Sequence, residues 1–457
     1  MTVMELKAKL DSQRAAEQFS LLYGSGNVES ARRRYKALID QILGENALAG
    51  RQAGEFPLSG ENGLWIFSAP GRTELGGNHT DHNCGKVLAA SIQLDNIAIV
   101  QKRRDQAVFF RSTGFPDVKI NLADADGRPD LEARPEERGK TESLVRGIAA
   151  GLHQRGVAVG GFSAYASSTV LPGSGLSSSA AVEVLLGRIF DCLYGDGSLG
   201  ALEIAQTGQT AENTWFGKPC GLMDQAACAS GGVAAIDFGG TLPRIRRINF
   251  NLAATGFALC VINTGDSHAD LIPDYAAIPA EMKAIAAFFG KTALAELDRQ
   301  TVLSNAAELR KTAGDRALLR SLHFFDENER VEQMAAALDE IENSRNAETK
   351  QRAFESYLDM VNESGESSSE LLQNIYSPRN PKTQALSTAL ILSKKFFQRQ
   401  KIRGVCRVHG GGFAGTIQAY VPLDAFAAYS MYMESIFGAD TVTELRIRPL
   451  GAVELEL

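Results

Sequence analysis

Hydrophobic positions along the chain follow the periods of both strands and amphipathic helices. Between residues 182 and 193 they recur at the i, i+3, i+4, i+7 spacing of a helix that buries one face. The stretch 161–166 alternates apolar and polar residues, which predicts a strand. Between them lies 171–181, Leu-Pro-Gly-Ser-Gly-Leu-Ser-Ser-Ser-Ala-Ala. The predicted order is therefore strand, glycine–serine loop and helix N-terminus.

The glycine–serine loop has the features of a phosphate site. Gly173 and Gly175 allow the main chain to turn tightly and to approach a ligand closely. The unpaired N–H groups and the dipole of the following helix attract anions. A serine cap beside a plain loop is the structural alternative. We favour phosphate binding because loop, hydroxyls and helix occur together in this order.

The same periodicity predicts the secondary structure of the rest of the chain. Residues 1 to about 50 and 280 to 400 have helical spacing, and the second region is broken at 377–381, Ser-Pro-Arg-Asn-Pro. Apolar and β-branched runs predict further strands, at residues 64–68, 87–92, 234–238, 257–262 and 416–421.

Composition narrows the class of protein. The chain has 457 residues, of which 44% are hydrophobic and 22% charged, and this length favours two domains. A net charge of −7 leaves no basic surplus for non-specific binding to nucleic acid. No apolar run reaches the roughly 20 residues of a membrane span. The six cysteines form no CxxC pair, which is typical of a cytoplasmic protein with reduced thiols.

Chemically reactive residues are concentrated in residues 69–82, Ala-Pro-Gly-Arg-Thr-Glu-Leu-Gly-Gly-Asn-His-Thr-Asp-His. Donors and acceptors at this density suit a ligand with many hydroxyl groups. A metal site on His79, Asp81 and His82 is the alternative, but three ligands so close together need a distant fourth. Residues 410–415 fit the dinucleotide pattern GxGxxG, yet a predicted strand follows them instead of a helix, which argues against that function.

Several of these stretches resemble motifs of the galactokinase branch of the GHMP sugar kinases. Residues 69–81 are similar to its signature, and 171–181 to its phosphate loop. The sequence Gly-Lys-Pro-Cys-Gly-Leu-Met-Asp-Gln at 217–225 resembles the stretch that carries the catalytic aspartate, and 407–415 the third, glycine-rich motif. These motifs lie between residues ~65 and 425 and follow each other in the same order as in the family. The resemblance rests on all of them together, because no single motif would establish it.

The resemblance implies an α+β fold of two domains with the active site in the cleft between them. We expect residues 1–235 to form a ribosomal S5 domain 2-like N-terminal domain, with a helical extension and the ATP-phosphate loop. Residues 236–457 would form a ferredoxin-like C-terminal domain. The partners would be a sugar and ATP, with no nucleic acid and no membrane. We expect a monomer, and a dimer is the alternative.

The resemblance also implies a sugar 1-kinase that uses ATP and Mg²⁺. Asp224 would be the catalytic base, and Arg72 would lie beside it and lower its pKa. The Mg²⁺ ligands would be Ser179 and Glu212. The residues implied in ATP binding are Gly173, Ser174, Gly175, Leu176, Ser177, Ser178 and Ser179. Those implied in sugar binding are Asn78, His79, Asp81, Gly221 and Tyr275.

Departures from the family pattern affect the choice of sugar. Asn78 stands where glutamate is usual, Glu74 where asparagine is usual, and His82 where tyrosine is usual. Asn78 both donates and accepts and is shorter than glutamate, so it would suit a modified sugar, and without a charge it would also tolerate an anionic substituent. A kinase for N-acetylgalactosamine, arabinose or a uronic acid is therefore one alternative to a galactokinase. A non-catalytic sugar sensor is another. We favour an enzyme because every residue needed only for the chemistry is present.

Overall fold

The structure is a computed structural model, and it describes residues 2–49, 58, 63–170, 175–265 and 271–457. The strands it contains are, in chain order, β1 (Trp65–Gly76), β2 (Lys86–Lys102), β3 (Ala107–Ser112), β4 (Val118–Asn121), β5 (Phe162–Ser168), β6 (Val233–Asp237), β7 (Arg244–Ile248), β8 (Phe257–Asn263), β9 (Val405–His409), β10 (Thr416–Pro422), β11 (Val442–Leu445) and β12 (Val453–Glu454).

Helices form the N-terminal region and most of the long region that was predicted to be helical. They are α1 (Val3–Lys9), α2 (Gln13–Tyr23), α3 (Val28–Ala49), α4 (Thr141–Gln154), α5 (Ser178–Tyr194), α6 (Ala201–Thr210), α7 (Met223–Ser230), α8 (Ile272–Phe288), α9 (Arg299–Ser304), α10 (Ala306–Thr312), α11 (Asp315–Asn343), α12 (Ala347–Ser367), α13 (Ala385–Gln400) and α14 (Leu423–Phe437). The predicted break at 377–381 lies between α12 and α13 and is confirmed.

The larger sheet is built around the long strand β2. Within the described residues this sheet has eight strands, in the order β12-β1-β2-β5-β3-β4, with β6 paired to β2 and β7 paired to β6. The first half of β2 pairs with β6 and the second half with β5, both antiparallel. The pairing therefore connects the strand before the phosphate loop to the strand that follows α7.

Strand β1 is longer than the sequence predicted. The expected strand ended at residue 68, but β1 continues to Gly76 and carries Arg72 and Glu74 into the sheet. Its pairing with β2 shifts register between Pro70 and Arg72, because proline has no N–H to donate, and again between Glu74 and Gly76. The polar stretch was therefore partly a buried strand and only partly a loop.

Both faces of the larger sheet are covered. Phe67, Ala98 and Val100 face the main core, which α4–α7, α11 and α12 complete. The alternate residues, such as Ile66, Ile97 and Ile99, face a second core formed with the N-terminal helices. Two buried faces explain why these strands read as nearly continuous apolar runs.

The second sheet is smaller and antiparallel. In the described residues it has four strands in the order β11-β8-β10-β9, with α13 and α14 packed on it. The tight glycine turn between β9 and β10 joins two strands, as the sequence predicted. Among the described helices, none is long and apolar enough to cross a membrane.

The topology bears on the expected division of the chain at 235/236. This boundary falls inside β6, within the strand predicted at residues 234–238. In the structure β6 and β7 are hydrogen-bonded into the larger sheet, because the apolar edge of the first half of β2 is available to β6. The C-terminal strand β12 also returns to this sheet. The change of sheet therefore comes after β7, at about residue 250.

Candidate active site

A cavity of about 280 Å³ opens where three of the sequence motifs meet. Its walls come from β1 and the turn after it, from the loop and first turn of α7, and from the glycine turn between β9 and β10. Its lining residues are Arg72, Glu74, Asn78, His79, Asp81, His82, Lys218, Pro219, Cys220, Gly221, Met223, Asp224, Gly410 and Gly411. Motifs separated by more than 300 residues in sequence thus share one site.

The turn after β1 requires backbone conformations that few residues adopt. Gly77 has a φ of +91°, and a Cβ there would collide with the Lys86 main chain. His79 also has a positive φ, 60°, which is uncommon outside glycine. The Thr80 hydroxyl donates to the Lys86 carbonyl at 2.6 Å and closes the turn. These constraints aim the His79 and Asp81 side chains into the cavity wall.

Arg72 and Asp224 form an ion pair at the cavity. The guanidinium Nε and Nη2 both lie 2.8 Å from Asp224 Oδ1. The Ser177 hydroxyl donates to Asp224 Oδ2 at 2.5 Å. Arg72 also donates to the Gly175 carbonyl. One guanidinium therefore ties the loop before α5 to the carboxylate in the first turn of α7.

This arrangement sets the charge of Asp224. Burial on its own would raise the pKa of Asp224, but the Arg72 guanidinium and the Ser177 hydrogen bond outweigh it, and the pKa is lowered below 3.8. Burial would likewise lower the pKa of Arg72, and the Asp224 charge raises it instead. The pairing expected from the sequence is present, and the direction of the pKa of Asp224 agrees with it. At neutral pH both groups are charged.

The loop before α5 approaches the ion pair closely. Gly175 has a φ of +70°, and Ser177, which begins the helix as its cap, has a φ of +60°. The Arg72 N–H donates to the Leu176 carbonyl at 3.1 Å. The N–H groups of the first turn of α5 have no partner within the helix. Gly173 and Ser174, predicted to contact ATP, lie outside the described residues.

A second polar cluster lies beside α5. The Ser179 hydroxyl is 3.4 Å from Glu212 Oε1, and Lys218 Nζ is 3.0 Å from the same oxygen. Gln225 Nε2 donates at 2.9 Å both to Glu212 and to Glu183. Burial, and then the Glu212 charge, raise the pKa of Glu183. The hydroxyl and carboxylate predicted as metal ligands are thus brought together.

His79 is a neutral imidazole in a defined tautomer. Burial, and then His82, lower the pKa of His79 to about 3. Its Nε2 lies 2.9 Å from the Gly411 carbonyl oxygen, which can only accept. The proton is therefore on Nε2, and Nδ1 is an acceptor.

Gly221 gives the Asp81 carboxylate its place in the cavity wall. A Cβ at position 221 would overlap the Asp81 carboxylate. The Asp81 Oδ1 accepts from the His82 N–H at 3.0 Å, which leaves Oδ2 facing the Gly221 main chain. Within the described residues, no three His, Cys, Asp or Glu side chains converge as a metal site, at His79, Asp81 and His82 or elsewhere.

Tyr275 lies beside the glycine turn rather than in the wall of the cavity. Its hydroxyl donates to the Gly412 carbonyl at 2.9 Å, and its ring meets Phe413 edge-on at 5.4 Å. A Cβ at Gly411 would collide with the Tyr275 ring. In the described residues Tyr275 is therefore in contact with the site through the turn that it supports.

Sequence reasoning missed several residues that build the site. Lys218 reaches Glu212, Arg407 is fully buried against Glu74, and His409 bridges the Thr73 and Thr416 hydroxyls at 3.0 and 2.9 Å. The contacts of Arg407 and His409 join β1 to β9, more than 300 residues later in the sequence. Of these three residues, Lys218 could have been found from the sequence, because it lies six residues after Glu212 and within the motif at 217–225.

The sequence of this chain matches two profiles of known families. Residues 58–102 match the galactokinase galactose-binding signature, and residues 143–232 match the GHMP kinases N terminal domain. A galactokinase from Streptomyces coelicolor is 32% identical over 300 residues, which are 65% of this chain and 75% of the relative. A galactokinase from Actinobacillus pleuropneumoniae is 32% identical over 277 residues, 59% of this chain and 68% of the relative.

Solved structures with the same fold extend the comparison to nearly the whole chain. Lactococcus lactis galactokinase complexed with galactose superposes with a TM-score of 0.69 at 21% identity, covering 96% of this chain and 98% of the other. Mevalonate kinase from Methanococcus jannaschii superposes with a TM-score of 0.55 at 15% identity, covering 85% and 99%. The predicted GHMP kinase fold is confirmed. Together with the sequence relatives, these matches show that the chain belongs to the galactokinase family of the GHMP kinases, and it is an ATP-dependent sugar kinase.

Proposed function

We propose that this protein transfers the γ-phosphate of ATP to the anomeric hydroxyl of galactose, giving galactose 1-phosphate and ADP. The observation that carries the proposal is the Arg72–Asp224–Ser177 group, which joins the cavity of the sugar motif to the N-terminus of α5. One end of this arrangement presents acceptors for hydroxyl groups, and the other end presents N–H groups for phosphate. The names of the relatives support galactose as the sugar.

Asp224 accepts the proton of the anomeric hydroxyl as the phosphoryl group is transferred. Its lowered pKa makes it a weak base, so the proton leaves the hydroxyl late, when the new O–P bond is largely formed. Arg72 holds the carboxylate in place and offsets the negative charge of the moving phosphoryl group. Most of the acceleration therefore comes from orientation and charge stabilisation.

The nucleotide binds over the first turn of α5. Gly175, Leu176, Ser177 and Ser178 present N–H groups and hydroxyls to the triphosphate. A second cavity, of about 210 Å³, adjoins this turn, with Ser178 and Ser179 on one side and apolar groups such as Phe110 and Val118 on the other. Apolar walls next to a phosphate site suit a planar base.

The Ser179 hydroxyl and the Glu212 carboxylate fit Mg²⁺ bound together with phosphate oxygens. Their oxygens are 3.4 Å apart, and one or two protein oxygens are the usual contribution to such a site. When bound, the cation offsets charge on the phosphates. The Lys218 side chain is 61% exposed, so it is free to leave Glu212 and reach a phosphate oxygen.

The sugar contacts proposed are Asn78, His79, Asp81 and Gly221, all in the cavity wall, while Tyr275 supports the glycine turn behind it. His79 offers the acceptor Nδ1, and Asp81 offers its carboxylate, to ring hydroxyls that donate. The six cysteines are free thiols, which supports a reducing compartment, and we propose a cytoplasmic monomer.

The test is release of ADP with Mg²⁺, ATP and a panel of sugars, with sugar and nucleotide binding measured by calorimetry on the same samples. We expect turnover on galactose above the other sugars. Tight binding of sugar and ATP with no turnover on any sugar would contradict the proposal and support a sensor.

A further inference from the structure

Glu74 is a carboxylate in the wall of the sugar cavity to which no role has been given. It lies on β1 and is 2% exposed. The fully buried Arg407 donates through Nη2 to Glu74 Oε1. Among the described residues, Nε and Nη1 of Arg407 have no acceptor. The charge of Arg407 therefore depends on Glu74, because a buried guanidinium without an anionic partner is strongly destabilising.

Asn78, which lies next to Glu74, has already used both of its amide hydrogens. Its Nδ2 donates to the Gly410 carbonyl at 2.7 Å and to the two Glu74 oxygens at 3.1 and 3.2 Å. Its Oδ1 accepts from Asn374 Nδ2 at 2.8 Å. An amide has two hydrogens and two acceptor lone pairs, so one lone pair of Oδ1 is all that Asn78 still offers.

Most of the hydrogen-bond acceptor positions that remain free in this wall belong to Glu74. A carboxylate has about four acceptor sites. From the described part of the chain, Oε1 receives Arg407 and Asn78, whereas Oε2 receives only the long bond from Asn78. Glu74 and Asn78 together therefore present acceptors and no donor to whatever enters the cavity beside them.

We propose that Glu74 selects the sugar at this wall: it requires a hydroxyl that donates a hydrogen bond and excludes an acidic sugar. The inference rests on the proposed function for the identity of the ligand class. It replaces the expectation that an uncharged Asn78 admits an anionic substituent, since the carboxylate at position 74 is held within hydrogen-bond distance of Asn78. Asn78 is then the residue that positions Glu74.

The test compares galactose with its 2-, 3-, 4- and 6-deoxy analogues and with galacturonate, in the parent protein and in Glu74→Gln. Dissociation constants from calorimetry are measured beside kcat/KM. In the parent we expect more than one deoxy analogue to bind weakly, because Asp81 and His79 also accept from ring hydroxyls. The analogue that lacks the hydroxyl bound by Glu74 should bind about tenfold to a hundredfold more weakly than galactose, the range for a hydrogen bond to a charged group. We expect galacturonate to be the poorest ligand. In Glu74→Gln the deoxy analogue that Glu74 disfavours should bind nearly as well as galactose. Galacturonate should bind better, relative to galactose, than it does in the parent.

Glu327→Gln is the matched control. Glu327 is also a fully buried carboxylate that pairs with an arginine, and it contacts the same turn through the Gly77 N–H at 2.9 Å. It is absent from the described lining of the cavity. We expect this variant to lower stability and to leave the ratio between galactose and each analogue unchanged. Each ratio is taken within one variant, so a partly unfolded sample does not alter it.

The outcomes separate this inference from the proposed function. An equal loss on every sugar in Glu74→Gln, as in the control, would mean that Glu74 only maintains structure, and the inference would be overturned. Galacturonate binding as well as galactose in the parent would also overturn it. Absence of turnover with the expected binding ratios would contradict the kinase proposal and leave the role of Glu74 supported.

Discussion

Replacing Asp224 with asparagine tests the proposed chemistry most directly. Asparagine keeps the size of the side chain and the oxygen that Arg72 contacts at 2.8 Å. The hydroxyl of Ser177 can reverse its direction and accept from the new amide N–H at the position where it now donates. The geometry of the pair is therefore retained, while the proton acceptor and its charge are lost.

The structure sets the size of the two expected effects. The Asp224 side chain is 35% exposed, so loss of its charge should cost less than the 3–5 kcal/mol of a fully buried pair, at about 1.5–3 kcal/mol of stability. Loss of general-base assistance should lower kcat by about 10²- to 10⁴-fold. The dissociation constant of galactose should change by less than about tenfold, because Asp224 supplies one of several sugar contacts.

The assay combines ADP release for kcat, calorimetry for galactose and thermal unfolding for stability. Asp274→Asn is the control, since Asp274 accepts from Ser377 at 2.8 Å and from Arg379 at 2.7 Å outside the cavity. It should lose stability without the fall in kcat. A kcat of Asp224→Asn within tenfold of the parent would refute the assignment of the base.

Four further substitutions test the site and the scaffold. Arg72→Gln should move the acid limb of the kcat/KM profile to higher pH, because Arg72 is what keeps the pKa of Asp224 low against burial; an unmoved limb would exclude Asp224 as the titrating group. Glu212→Gln should raise the Mg²⁺ concentration needed for half-maximal nucleotide binding by at least about tenfold, measured by titration with a fluorescent ATP analogue. Burial raises the pKa of Glu327, but His323 and two arginines outweigh it and lower it to about 2 from 4.5. A carboxylate whose pKa is lowered in the folded state stabilises the fold above pH 4.5, and this stabilisation is lost as pH falls towards 2. Glu327→Gln should therefore be less stable than the parent in urea at pH 7 and should lose less stability on acidification. Ile39→Ala should lower the free energy of unfolding by about 2–5 kcal/mol and leave kcat unchanged, since Ile39, on α3, is fully buried in the core formed with the N-terminal helices.

The sequence predicted well where local pattern decides structure. The strand and the helix on either side of the glycine–serine loop are confirmed by β5 and α5, because period-2 and period-3.6 patterns are local and strong there. The pairing of Arg72 with Asp224 is confirmed too, although their contact spans 152 residues, because the motifs carry it. The catalytic and binding roles of these residues stay predictions.

Contacts made across the fold were beyond what a sequence pattern can show. Arg407 and Glu74 meet only because the fold brings β9 next to β1, and nothing in either segment indicates the other. His323, on α11, holds the Asn78 carbonyl at 2.8 Å, yet it resembles any buried histidine in a helix. The extension of β1 to Gly76 was missed because its polar residues suggested a loop, whereas pairing with β2 satisfies its backbone.

The hydrogen bond from Ser177 to Asp224 has a consequence for how the two substrates meet. Ser177 occupies one of the two acceptor positions of Oδ2, so an anomeric hydroxyl that docks at that same position displaces it. The released hydroxyl belongs to the turn that begins α5, where the phosphates are proposed to lie. A sugar that frees Ser177 thereby adds a donor to the nucleotide site, and by reciprocity a nucleotide that engages Ser177 uncovers the acceptor for the sugar. The two ligands should therefore bind with positive cooperativity, each lowering the dissociation constant of the other by the same factor.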